Sequence, residues 1–218
     1  MRARGPLLSL DARESNDARW WELDARRGGY DYDLQPDFFT ADLIDGRAQA
    51  LFRLGAALVA ENKGEEARAP LQAAWSMHWD FPEPPLFLGY MAYAKSDFKE
   101  AKRYYGLAAG ILDGLIAKAE EYHSLPAVAQ NIRMSAAQAY MHLGVVAEKL
   151  GDRAEAERNY EFSLSRQPLA QTHYDLAILY WNRDWSRVER ELQETLRLEP
   201  GHAEAARYLK KLQTAKGR

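Results

Sequence analysis

The sequence has no cysteine. That removes disulfide frames, thiolate nucleophiles and cysteine-held metals. It also lacks a long apolar run. The most apolar stretch, Leu107–Ala117, contains Asp113 and is shorter than the roughly 18 residues a membrane-spanning helix needs. A basic excess is missing too. The formal net charge is −3, so there is no positive stripe of the kind phosphate backbones demand, and nucleic acid is not an expected partner. The N-terminus, Met1-Arg-Ala-Arg, carries basic residues, but the apolar run after it is too short and broken for a signal peptide. These absences point to the cytoplasm and are compatible with the periplasm.

The signatures of catalysis are absent as well. His78, His123, His142, His173 and His202 never stand at metal-ligand spacing, and there is no HExxH, phosphate-binding loop, GxGxxG or GxSxG. The acidic residues are scattered as solvated helix faces require. The expectation is therefore no catalytic residue, no cofactor, no metal and no enzyme activity.

What is present is internal repetition. Gly55 follows Leu54 and is followed by Ala67 and Leu71; Gly89 follows Leu88 and is followed at the same spacings by Ala101 and Tyr105. These two glycines are 34 residues apart. Gly144, with Ala156 and Tyr160, repeats the pattern 55 residues after Gly89, one period plus an insertion of 21. A fourth unit aligns Tyr174 with Tyr140 and Pro200 with Pro168, with Ile178 standing where the glycine would be and two fewer residues before its second helix. Small residues at such positions let antiparallel helices approach closely, and larger ones fill the layer between them. Turn chemistry breaks each unit at Asn62-Lys-Gly64, Ser96-Asp97, Gly151-Asp152 and Asn182-Arg-Asp184, and prolines at 82–85, 168 and 200 mark the joints. One hairpin cannot bury its apolar face alone, so several must stack and end in a capping helix.

The Leu-Gly, Ala and Tyr/Leu positions at this period resemble the tetratricopeptide repeat (TPR) family over about residues 48–200. The expected fold is all-α: a TPR-like helical-hairpin solenoid of three to four repeats plus a C-terminal capping helix. Residues 1–46 read as an aromatic-rich arm with Trp20, Trp21, Tyr30, Tyr32, Phe38 and Phe39, including a helix near 15–27 stopped by Gly28-Gly29. Residues 47–200 form the repeat array. Its insertion, about 115–136, lengthens both neighbouring helices around His123-Ser-Leu-Pro126. Residues 201–218 form the cap and a basic tail, with five Lys/Arg against one Glu.

The resemblance implies that the first helix of each unit lines a concave groove able to hold a helix or extended peptide. Its expected lining begins with Gln49, Phe52, Ala56 and Val59, then Glu83, Leu86, Tyr90 and Tyr93. Gln138, Met141, Val145 and Glu148 follow, then Thr172, Asp175, Leu179, Asn182 and Arg183. Tyr90 and Tyr93 beside Phe52 and Leu86 make an apolar patch that a partner, or the chain's own residues 30–39, is expected to cover. Family members that hold the C-terminal carboxylate of heat-shock chaperones use a Lys and an Asn in the first helix. Phe52 and Ala56 stand in those places, which argues against that clamp.

Two features invite packing roles. Gly106, Gly110 and Gly114 line one helix face, and close approach to the inserted helix is expected there, with self-association as the alternative. Trp75, Trp79 and Phe81 read as core. The function implied is a non-enzymatic adaptor or scaffold binding a protein segment. A second reading rests on Gly29-Tyr-Asp-Tyr-Asp33, Asp45-Gly-Arg47, Leu51-Phe-Arg-Leu-Gly55 and Gly64-Glu-Glu-Ala67. These resemble the soluble tail of bacterial membrane glycosyltransferases of the protein mannosyltransferase type. A third is a secretion chaperone, similar in size to the three-repeat chaperones of type III secretion.

Overall fold

The computed structural model describes residues 38–122 and 124–216, with side chains for residues 44–122 and 124–214. Among the described residues there are nine helices and no strand. The chain forms two compact units, residues 1–95 and 96–218. The expected helix near 15–27, Trp20, Trp21, Tyr30 and Tyr32, and any placement of residues 30–37, lie outside the described residues.

The first unit contains α1 (Phe38–Ala60), α2 (Gly64–Met77) and α3 (Glu83–Ala94). Helix α1 thus begins inside the segment read from sequence as the arm. Asn62 turns the chain at the end of α1 with φ of 61°, and the Lys63 N–H reaches back to the Leu58 carbonyl at 2.8 Å. This is the closure that satisfies carbonyls left open at a helix end. The returning helix lies very close. A Cβ on Gly55 would fall 2.5 Å from Leu71 Cγ, so this position tolerates hydrogen alone. Pro84 and Pro85 open α3, where a missing N–H costs nothing. Phe52 packs its ring edge-on against Phe81 at 5.2 Å and Phe87 at 5.3 Å.

The second unit contains α4 (Phe98–Glu121), α5 (Pro126–Lys149), α6 (Arg153–Arg166), α7 (Ala170–Tyr180), α8 (Trp185–Leu198) and α9 (Ala203–Lys216). Each of these helices packs against its neighbour in sequence. Three of them start on an aspartate cap. Asp97, Asp152 and Asp184 accept the N–H of Glu100, Glu155 and Arg187 at 3.0, 2.9 and 2.9 Å. Each cap stabilises its helix by about 1 kcal/mol. The residues before them, Ser96, Gly151 and Asn182, have φ of 60°, 80° and 65°, the last separated from its cap by Arg183. Gly144 repeats the logic of Gly55: a Cβ there would fall 2.4 Å from Tyr160 Cε1.

The insertion is taken up by helix. α4 and α5 run 24 residues each against 14 for α6, about 15 Å of extra length at the helical rise. Asp113 ties the long pair to α6, accepting from Tyr140 Oη at 2.6 Å and Arg166 Nε at 2.9 Å. At the far end of the array, Ala205 and Leu212 of α9 close a core with Ala177, Val188 and Leu192. The outer face of α9 carries exposed Arg207, Lys210 and Lys211, as a capping element requires.

Three expectations need correction. The glycine stripe of α4 is exposed, and a Cβ on Gly106, Gly110 or Gly114 would meet nothing within 4 Å. The buried face of α4 is instead Ala101, Tyr104, Tyr105, Ala108, Ala109 and Leu112; alanines, not glycines, provide the close approach. Trp79 is 74% exposed because α2 ends at Met77, before the aromatic spacing can continue on a helix. In the fourth unit the small residue facing the second helix is Ala177, buried with Val188 and Leu192, whereas Ile178 is 36% exposed. The shorter turn moves the register by one.

Candidate interaction surfaces

In the first unit, α1 and α3 supply the expected lining. Tyr90 is 55% exposed, while Phe52, Leu86 and Tyr93 are half-buried. Phe52 is the least free of these, since its ring is held between Phe81 and Phe87. Gln49 and Glu83 are exposed, and Ala56 and Val59 half-buried.

In the second unit the corresponding helices are α5 and α7. Gln138 and Glu148 are exposed and Met141 and Val145 half-buried. The latter two rest on a core of Ala147, Ala156, Tyr160, Leu176 and Leu179. Helix α7 presents Asp175, with Asn182 and Arg183 exposed in the turn beyond it. Thr172 and Leu179 are buried, and Thr172 Oγ1 bonds Ser163 Oγ at 3.0 Å inside the layer. Gln171 and Ile178 are exposed in their stead, which is the same one-residue shift seen at Ala177. Sequence reasoning missed both because it anchored the unit on Ile178. The apolar quartet Ala177, Val188, Leu192 and Ala205 would have given the right register.

The electrostatics of this face are uneven. Burial pushes the Asp175 carboxyl up to about 6, with the Gln171 amide opposing and the Glu148 charge adding to the rise. Asp175 on α7 thus lies within electrostatic reach of Glu148 on α5. The Gln171 amide donates to Asp175 Oδ1 at 2.8 Å, and the Tyr160 hydroxyl donates to Glu148. Elsewhere in the unit, half-buried carboxylates meet cations: Glu155 meets Lys102 at 2.6 Å, Asp113 meets Arg166 at 2.9 Å and Glu157 meets Arg187 at 3.0 Å.

The described histidines are occupied locally. His78 lies between Asp45 at 2.8 Å and Asp80 at 2.6 Å, and His173 meets Glu191 at 2.7 Å. His142 stacks on Tyr105 at 5.0 Å, and burial holds its imidazole below the ordinary histidine value. Among the described residues no three His, Asp or Glu side chains converge as a metal would need, and no helix is long and apolar enough to cross a membrane. The stretches that resemble a glycosyltransferase tail fall partly on α1 and α2. There Gly55 and Ala67 have packing roles of their own; Gly29–Asp33 lies outside the described residues.

No protein-family model and no curated protein matches the sequence. Solved structures do resemble it. BtubC (BKLC) from P. vanneervenii superposes with a TM-score of 0.66 at 14% identity, over 96% of this chain and 85% of that one. The MamA RS-1 ArsTM double mutant gives 0.54 at 16% identity, over 86% and 87%. The thermophilic TPR protein TTC0263 of Thermus thermophilus gives 0.41 at 17% identity, over 77% and 99%, a superposition too loose to build on. At such identities the likeness establishes fold alone. The chain has an all-α, TPR-like fold of helical hairpins.

Proposed function

We propose that this chain is a non-enzymatic protein-interaction scaffold whose first helices hold a peptide or helix from a partner. The observation that carries the reading is the open face of α5 and α7. There Met141 and Val145 are only half-covered, Ile178 is exposed, and Gln138, Gln171, Asn182 and Arg183 supply polar groups around them. Apolar anchors ringed by hydrogen-bonding groups suit a protein segment better than a small substrate, which needs a closed pocket. The exposed Tyr90 on α3 is a second anchor of the same kind.

Site-specific photo-crosslinking tests this. A photoreactive residue at Val145 or Ile178 should trap a common partner in cells of the native host, and one at Lys210 on the outer face of α9 should not. Equal yields from Lys210, or partners trapped only there, would move binding away from these helices.

A further inference from the structure

We propose that the open face of α5 and α7 recognises a basic side chain, Lys or Arg, flanked by apolar residues on the bound segment, with Asp175 as its main counter-charge and Glu148 beside it. This rests on the peptide-binding reading above and specifies the chemistry of the occupant.

The argument starts from what the second unit does with carboxylates that lose water. Burying one is costly unless a cation or several donors replace the solvent. The unit follows this rule repeatedly. Asp113 has Arg166, Glu155 has Lys102, Glu157 has Arg187, and Glu191 has His173 and Arg187. Each partner comes from another helix or from one turn along the same helix. Asp175 breaks the rule. It is half-buried, yet among the described residues it makes no ion pair and holds a single amide donor from Gln171. Glu148, which it feels across the gap between helices, makes no ion pair either and holds one hydroxyl donor. Burial first, and the charge of Glu148 after it, raise the affinity of Asp175 for a proton, with the Gln171 amide opposing.

The placement decides the occupant. Both acids lie on the helices that carry the open apolar side chains, Glu148 three residues past Val145 and Asp175 three before Ile178. An incoming ammonium or guanidinium would relieve the repulsion between the two carboxylates and would form charge-assisted hydrogen bonds with both. An acidic segment or a free C-terminal carboxylate would be repelled. The apolar rim sets the neighbours of the basic residue, because its methylene stem and flanking side chains can lie on Met141 and Val145.

The test uses the full 218-residue chain and a phage-displayed random peptide library as probe. Selections run against wild type, Asp175→Asn and Val145→Glu. Asparagine keeps the oxygen that Gln171 bonds, so Asp175→Asn should fold at least as well as wild type, and circular dichroism confirms this before selection. Wild type should enrich peptides with one Lys or Arg between apolar residues. A synthetic copy of the enriched peptide should lose roughly tenfold or more in affinity on Asp175→Asn, as expected when one member of a desolvated charge pair is removed. Acetylating the peptide lysine should cause a similar loss, and the two changes together should cost little more than either. Peptides that need Val145 but show no basic preference, or that bind Asp175→Asn as tightly as wild type, would overturn this inference and leave the peptide-binding reading intact. No enrichment at all, or peptides indifferent to Val145→Glu, would overturn both.

Discussion

Gly144→Ala and Gly110→Ala are the same chemical change on adjacent helices, and the structure gives them opposite signs. At Gly144 the new methyl would lie 2.4, 2.5 and 2.9 Å from Tyr160 Cε1, Cδ1 and Cζ. Ordinary carbon–carbon contacts begin at about 3.5 Å, so the ring or the helix must move. The ring has no easy exit, since Tyr160 is fully buried and its hydroxyl donates to Glu148. Overpacking costs about 1–3 kcal/mol, and a contact this short belongs near the top of that range. Subtracting the roughly 1 kcal/mol by which alanine exceeds glycine in a helix interior leaves a net loss of about 1–2 kcal/mol. At Gly110 there is nothing within 4 Å, so only the propensity gain of about 0.5–1 kcal/mol remains. The two variants should therefore differ by about 1.5–3 kcal/mol. Urea titrations followed by far-ultraviolet circular dichroism would show this as separated midpoints with an unchanged slope. If Gly144→Ala proved as stable as Gly110→Ala, the close approach of α5 and α6 would not be what selects glycine there.

Two further outcomes follow from the second unit. Asp113→Asn should destabilise it by about 1–3 kcal/mol, because it removes the carboxylate that holds both Tyr140 and Arg166. It should also bring the Tyr140 hydroxyl down from about 12, where burial first and the Asp113 contact second now hold it; ultraviolet titration of the phenolate reads this, and an unmoved titration would deny the contact. Asp175 runs the other way. Its folded carboxyl keeps a proton to higher pH than the unfolded one, so its contribution to stability rises as pH falls through about 6 and levels off near the ordinary aspartate value of 3.8. Above that window the displacement is worth at most about 3 kcal/mol, so Asp175→Asn should stabilise the unit at pH 7 and lose that advantage near pH 4. Equal stability of the two proteins at pH 7 would remove the strain invoked at this face.

The hairpins were legible because their determinants are local. Gly55 and Gly144 are separated from Leu71 and Tyr160 by a fixed spacing, and the aspartates at 97 and 152 follow turn residues directly, with that at 184 one residue further on. The glycine stripe of α4 was misread because spacing marks a face without saying which way that face points. The alanines at 101, 108 and 109 carried the answer. Trp79 failed for a related reason: its distance from Trp75 is helical, but the helix stops first. The unpaired acids were beyond reach. Asp175 and Glu148 are 27 residues apart on different helices, and no single sequence shows which carboxylates the fold leaves without a cation.

The packing of each helix on its sequence neighbour has a consequence for how the second unit forms. When partners are joined by turns of a few residues, bringing them together sacrifices little chain freedom, and the first contact can arise at either end. The α4–α5 pair has a bond, between Asp113 and Arg166, that reaches outside it, to α6. Its outer turns can zip at once, but they gain that anchor only after α6 has swung into place. Time-resolved folding should therefore find the extended hairpin present early and rigid late.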